Sequence, residues 1–592
     1  MSSTPHRHSV VYLSVTAIFL AAMTTVAAWA LIELIDLITN LAFHQRFSFA
    51  SSTPATHRMG AVVILVPVVG GLIVGLMARY GSKAIRGHGI PEAMEQILLN
   101  RSRIPARLML LKPGSAAVSI GTGGPFGAEG PIIATGAAFG SVLGQIFSVT
   151  ARERKILLAA GSAAGMTAIF GSPISAVLLA IELLLFEFSA HSIVPVGIAC
   201  AVASALRTYF FESGPVFGMP AVAACPPPTL FIFLLMGAAM GVAAAWLSRT
   251  VYWVEDQFER LPIHWMWWPA IGAVAVGVIG FFAPRTLGVG YENIEDVLAN
   301  ALPMKAVVAL CFMKFLSWVI ALGSGTSGGT LAPMLTIGSG LGAMVAVGLN
   351  TLFPALHVPV GLSALVGMTA IFAGASRAVL ASIVFGFETT MQPEAFPALL
   401  AGGIAAFLVA HLISKHSIMT EKIARRGVPL PQSYEPDALS LIRVADVMAG
   451  QFQVVPDSMT VSQLASDIAA NQPAVSRRHA SLIMDEQRRL VGIITRTDIL
   501  KAVELNRPEM TVAEAGSRNL VVVHPDDTLR HALTLLLQKN IGRLPVVDRD
   551  DAQRVVGYLG RAELLRAETT ETKEPGLLER MFNTPTTQNP SS

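Results

Sequence analysis

Gly127-Ala128-Glu129-Gly130-Pro131 sets a lone carboxylate at the head of a stretch with no other formal charge until Arg152. A carboxylate at bilayer depth is costly unless it faces a protein-lined cavity, so Glu129 reads as part of an ion or proton pathway. The rest of the 592-residue chain makes that depth credible. Charged residues are 14% of it, mean hydropathy is +0.58, and the charges cluster, which is the composition of a polytopic membrane protein.

Ser9 to Ile32 carries no Asp, Glu, Lys or Arg, which is long enough to cross a bilayer and exceeds the about 7 to 15 residues of a signal-peptide core. Further uncharged runs follow at Ala61–Ala78, Ile156–Ile181, Ile193–Leu206, Thr229–Ser248 and Pro269–Pro284, each near the length of a spanning helix. The uncharged stretch Phe315–Ser376 needs two or three helices, with breaks at Gly323–Gly329 and His357-Val358-Pro359. A net charge of +3 gives no reason to expect nucleic-acid binding. Arg101, Arg103 and Arg107, then Arg152, Arg154 and Lys155, then Lys415, Lys422, Arg425 and Arg426 flank apolar segments and mark the cytoplasmic side, with the C-terminus there. Cys200, Cys225 and Cys311 lie too far apart to suggest a disulfide framework or a metal site, and read as packing residues. Trp265, Trp267 and Trp268 read as an interfacial belt.

The membrane region repeats itself. Gly165-Met166-Thr167-Ala168-Ile169-Phe170 recurs as Gly367-Met368-Thr369-Ala370-Ile371-Phe372, and beyond each copy an apolar helix closes on a carboxylate, Glu182 or Glu388. Repeated halves with Gly/Pro-interrupted helices point to a midplane binding site. The interruptions are Gly87-His88-Gly89-Ile90-Pro91, Gly121–Pro131 and Gly325–Pro333. Glycines let backbone approach a ligand, and helix starts favour an anion. Several such starts meeting inside a membrane would solvate a small anion without lysine or arginine.

Past Arg426 the composition turns polar, and a weak tandem repeat appears. Val454-Val455-Pro456-Asp457 is echoed by Val522-Val523-His524-Pro525-Asp526, each leading through a helical segment to an apolar strand and a second helix. This β-α-β-β-α order, in copies at about 444–504 and 511–568, resembles a pair of CBS domains. The resemblance implies an α/β module in which Thr495 and Asp498 meet the phosphate and ribose of an adenine nucleotide. Gly560 and Glu563 hold those places in the second copy. A pair that only folds on itself and stabilises a dimer is the other reading.

Gly87–Pro91, Gly127–Pro131, Gly328–Pro333 and His416–Lys422 fall in the order of four motifs of the CLC chloride channels and transporters, and the chain resembles that family from its first membrane helix to about Glu568. The resemblance implies an inverted-repeat helical membrane domain over 1–426, a linker over 427–443, the CBS pair over 444–570 in the cytoplasm, and a disordered tail over 571–592. It makes Glu129 the gating carboxylate. It places the anion among Gly87, His88, Gly89, Ile90, Gly127, Ala128, Gly130, Gly329, Thr330, Leu331 and Met419. His88 replaces the usual serine, Met419 the usual tyrosine, Ala128 a basic residue and Leu331 a phenylalanine. A neutral imidazole can donate one N–H to an anion, and the other reading of His88 is a cap or packing residue.

Leu183 stands where the family's internal proton-transfer glutamate would fall, and leucine carries no proton. The expectation is therefore a passive, gated chloride channel with one pathway per subunit. The alternatives are a chloride/proton antiporter using Glu182 or Glu187 as the internal donor, and a CBS-regulated transporter of another anion. No nucleophile-base pair or phosphate-binding Gly-Lys-Ser/Thr motif suggests an enzyme, and no cofactor or metal is required; the CBS resemblance allows an adenine nucleotide. The family implies a homodimer, in contact with lipid, in the cell (inner) membrane.

Overall fold

The computed structural model describes residues 10–564 apart from 148, 213, 428–438, 440, 441, 471–479, 506 and 508. The chain divides into two compact units, 1–434 and 435–592. Most of the expected linker and all of the expected tail at 571–592 lie outside the described residues.

The first half of the membrane unit runs α1 (Val10–His44), α2 (Leu65–Leu76), α3 (Ile90–Leu99), α4 (Leu108–Gly121), α5 (Glu129–Ile146), α6 (Ala151–Phe170), α7 (Pro173–Leu179, continued by a wide π turn over Ala180–Leu185) and α8 (Ala190–Phe210). The second runs α9 (Pro227–Glu259), α10 (Trp268–Phe282), α11 (Tyr291–Leu298), α12 (Met304–Gly323), α13 (Leu331–Leu352), α14 (Val360–Ser376), α15 (Val379–Thr390) and α16 (Phe396–Ile413), and α17 (Glu421–Arg425) closes the unit. Eight of the described helical segments are long and apolar enough to cross a membrane, so this is a multi-pass membrane protein.

Packing repeats with the order of the helices. α5 lies on α6 as α13 lies on α14, α1 contacts α6 and α8 as α9 contacts α14 and α16, and α2 meets α10 and α7 meets α15 across the halves. A Cβ on Gly136 of α5 would sit 2.1 Å from the Gly161 carbonyl of α6, and one on Gly338 of α13 would sit 2.7 Å from the Gly367 carbonyl of α14. Such small residues let backbones approach where lipid offers no hydrophobic drive for helix association.

The repeat is inverted. Glu182, just past α7, accepts hydrogen bonds from the Leu380 and Ala381 amides at the start of α15 (3.1 and 3.0 Å). Glu388, in the last turn of α15, accepts from the Ile174 and Ser175 amides at the start of α7 (3.0 and 2.8 Å). The tail of each helix lies on the head of the other, so the two run antiparallel, and each carboxylate meets the positive end of a helix dipole.

The uncharged stretch from Phe315 breaks between α12, α13 and α14 where Gly323–Gly329 and His357-Val358-Pro359 predict it. Ile156–Ile181 does not form the single span expected of it. Its helix ends at Phe170, Gly171 caps it in the left-handed conformation (φ 59°), and Pro173 opens α7.

In the second unit α18 (Val444–Val447), β1 (Val454–Pro456), α19 (Val461–Ala469), β2 (Ala480–Met484), β3 (Leu490–Thr495) and α20 (Arg496–Glu504) are followed by α21 (Val512–Ala515), α22 (Leu529–Lys539), β4 (Arg543–Val547) and β5 (Val555–Gly560). β2 pairs parallel with β1 and antiparallel with β3. β4 pairs antiparallel with β5, and Val523 bridges Val546 in parallel. Val444 packs in the core of the second copy with Leu529, Leu544 and Leu559. Val512 and Ala513 pack in that of the first with Val461, Ile483 and Ile494. The short leading helix of each copy thus completes the other.

Candidate functional site

Three glycine-rich loops, at the heads of α3, α5 and α13, converge through their backbones. Gly127 and Gly329 exchange amide-to-carbonyl hydrogen bonds (3.3 and 3.0 Å), and the Gly87 amide donates to the Thr326 carbonyl (3.1 Å). Gly127 and Gly329 each stand two residues before the first residue of α5 and α13, so equivalent positions of the two halves pair with one another. A Cβ on Gly89, where φ is 100°, would meet the Gly130 carbonyl at 2.1 Å, which ties the head of α3 to that of α5.

Glu129 is the first residue of α5 and is fully buried. One carboxylate oxygen accepts from the Ala332 amide in the first turn of α13 (2.8 Å), and the other from the Tyr291 hydroxyl (3.0 Å). A Cβ on Gly127 would lie 1.9 Å from this carboxylate and one on Gly329 2.8 Å from it, so both glycines are needed to make room. The carboxylate occupies the place that a helix start offers to an anion. Tyr291 is held in turn by the rings of Phe170 and Phe217, at centroid distances of 5.7 and 6.0 Å.

Two buried lysines brace the loops. Lys112 of α4 donates to the Ile85 and Gly87 carbonyls (2.8 and 2.9 Å), and Lys314 of α12 to those of Thr286 and Gly288 (3.0 and 2.8 Å). The turns they hold, Gly87-His88-Gly89 and Gly288-Val289-Gly290, open α3 and α11. A framework with no lysine is therefore not what the chain builds. Both ammoniums are, however, committed to backbone. Sequence reasoning missed Lys112, Lys314 and Tyr291. The signal was there for the lysines, because each precedes its site glycine, Gly127 or Gly329, by the same interval.

His88 is 6% exposed, its Nδ1 has no hydrogen-bond partner, and it lines a cavity of about 690 Å³ on the side of α17. Glu92, one turn further along α3, faces the same cavity and accepts from the Gly89 amide at 2.6 Å. The Lys422 ammonium lies 3.7 Å from its other oxygen. Lys83, Arg86, Glu255, Glu259 and Arg426 also line this space, so carboxylates and cations share its wall. Trp265 and Trp268 belong to it too. Arg86 stands over both rings, at 5.1 and 5.4 Å. Trp267 is 48% exposed.

Ile90, Ala128, Thr330 and Leu331 are buried at the converging helix heads, and Gly130 abuts the His88 carbonyl. Met419 is fully buried in the core. Its amide donates to Ser417 Oγ (3.2 Å), and its neighbour Ile418 bonds to Ala375 and Tyr252. Leu183 is buried in the π turn after α7. Of the two expected substitute donors, Glu182 is bound to the head of α15, and Glu187 pairs with Ser192 and, at 3.5 Å, with Arg152.

In the second unit, Thr495 and Asp498 line a cleft of about 450 Å³ with Asn519, Asn540 and Arg543. Thr495 Oγ1 donates to Asp498 (2.6 Å), so the pair also caps α20. In the second copy Glu563 accepts from the Gly560 amide at 3.0 Å, with no hydroxyl alongside.

Residues 70–411 match the family model described as voltage gated chloride channel, and residues 444–505 and 512–569 each match the CBS domain. The chain is 29% identical over 367 residues, 61% of its length and 85% of the relative's, to a protein of Ralstonia nicotianae named "Putative chloride channel protein ClcB-like". Its fold is similar to a structure described as a slow cyanobacterial Cl⁻/H⁺ antiporter, with TM-score 0.64 and 23% identity over 71% of this chain and 98% of that one. It is also similar to one described as a CLC-type fluoride/proton antiporter, with TM-score 0.57 and 21% identity over 69% of this chain and 98% of that one.

Proposed function

Because the chain belongs to the voltage gated chloride channel family, an anion-transporting family, we propose that it is a chloride/proton antiporter with Glu129 as its gate. The observation that carries this reading is the Glu129 carboxylate seated on the Ala332 amide and the Tyr291 hydroxyl. An anion and an ionised Glu129 compete for those donors, so a proton that neutralises the carboxyl makes way for the anion. Anion and proton then move through one site in alternation. The antiport described for both similar structures adds support.

The channel reading keeps one specific observation in its favour, the buried leucine at 183. Purified protein in liposomes separates the two. An imposed chloride gradient should drive protons uphill, recorded as a change of external pH that stops with chloride exchange. Chloride loss with no proton movement would make the protein a passive channel.

The same proposal places the CBS pair in the cytoplasm of the cell (inner) membrane, makes the protein a homodimer with one pathway per subunit, and gives the cleft at Thr495 and Asp498 to an adenine nucleotide that regulates flux. With His88 and Met419 in place of the usual ligands, the site takes chloride or a similar small monovalent anion. Relative fluxes of chloride, nitrate and fluoride in the same liposomes decide which.

A further inference from the structure

Among the described residues, five cations line the large cavity on the side of α17: Lys83, Arg86, Lys112, Lys422 and Arg426. Lys112 is committed to the Ile85 and Gly87 carbonyls. Lys422 and Arg426 face the carboxylates of Glu92 and Glu95. Lys83 is exposed.

Arg86 is built in differently. Its Nε donates to the Gly325 carbonyl at 3.1 Å, and among the described residues the guanidinium has no other hydrogen bond and no ion pair. Gly325, at φ 74°, makes room for it, since a Cβ there would meet Nη2 at 2.1 Å. The rings of Trp265 and Trp268 hold it by cation–π contact. The guanidinium is thus fixed through Nε and half-buried, and its terminal N–H groups are left for a guest in the cavity. Arg86 directly precedes Gly87, which opens the loop at the head of α3, whereas Leu287 stands at the equivalent place ahead of Gly288.

We infer that Arg86 is a capture site for the transported anion, a small monovalent ion that its guanidinium holds in the cavity before the ion reaches the converging helix heads. The inference rests on the anion-transport part of the reading above and asks nothing of protons. A guanidinium is always charged and more weakly hydrated than an ammonium, so it gives up little water to take an anion. One sign of charge in a cleft also raises the local concentration of its counter-ion. Glu255 and Glu259 of α9 line the same cavity and oppose Arg86 electrostatically, which keeps the hold weak enough for the ion to move on.

The test measures chloride flux against chloride concentration in liposomes containing full-length protein. Arg86→Gln should raise the concentration for half-maximal flux about tenfold, the low end of what a charged cleft adds, and the deficit should close as chloride saturates. Glu255→Gln removes an opposing charge, leaves the bond to Gly325 alone, and should lower the same concentration. An impermeant salt should shrink both shifts, because ions screen a charge and not a packing contact. Wild-type half-saturation in Arg86→Gln, or a loss of maximal flux alone, overturns the capture site and leaves Arg86 as a clamp on Gly325. A half-saturation that does not fall in Glu255→Gln overturns it as well, which keeps the test decisive where Arg86→Gln does not fold. Absence of chloride flux in the wild type sinks the transport reading itself, and the capture site with it.

Discussion

The two halves of the membrane unit share a scaffold and differ in chemistry. Lys112 and Lys314 brace equivalent turns, Gly127 and Gly329 pair across the pseudo-axis, and Glu182 and Glu388 cap one another's helices. Yet α5 opens on Glu129 where α13 opens on Leu331, and the braced turn holds His88 in one half and Val289 in the other. The repeat supplies the frame, and Glu129 and His88 stand where the two halves differ. A substitution at a divergent position should therefore change what is transported. One at a shared position should change stability and should do so alike in both halves.

The largest effect is expected at Glu129. Glu129→Gln removes the carboxylate seated between the heads of α5 and α13, so proton flux should disappear and anion flux should lose its dependence on pH. An unchanged pH profile would remove Glu129 from the mechanism. Next come the lysines. Lys112→Met and Lys314→Met each remove an ammonium that bonds two or more carbonyls of a buried turn, at a cost of about 2 to 4 kcal/mol. Thermal unfolding in detergent should register a similar loss for both. A fall confined to one half would break the symmetry claimed for the scaffold.

Smaller effects are expected at the reciprocal caps. Glu182→Gln and Glu388→Gln keep one acceptor and lose the charge, which should destabilise each by about 1 kcal/mol with the chloride-to-proton ratio intact. Uncoupling by Glu182→Gln alone would return that residue to the proton route. The smallest concerns the other unit. Thr495→Ala removes the cap of α20, worth about 1 kcal/mol, and should weaken adenosine nucleotide binding measured by calorimetry, whereas Gly560→Ala should leave binding unchanged.

How far the sequence could be read follows from the kind of signal each feature leaves. The converging loops were legible because glycine and proline interrupt apolar runs at Gly87, Gly121 and Gly325, and Glu129 stood out by its isolation. The break at Gly171-Ser172-Pro173 was hidden, since it carries no charge and hydropathy runs through it. Tyr291 could not be assigned, because its link to Glu129 spans more than a hundred residues and rests on tertiary structure alone. The roles of Glu182 and Glu388 were equally out of reach. A carboxylate at a helix end looks the same whether it faces solvent or caps a helix two hundred residues away.

Those caps meet the definition of an isologous contact, in which one surface is its own complement and residue i meets j as j meets i. Here both copies of the surface belong to one polypeptide, so the contact is that of a symmetric dimer made permanent by fusion. Neither half can satisfy the first amides of its own α7 or α15. If the chain were severed in the connection between α8 and α9, each fragment would be incomplete by itself, and function would depend on the two being made together.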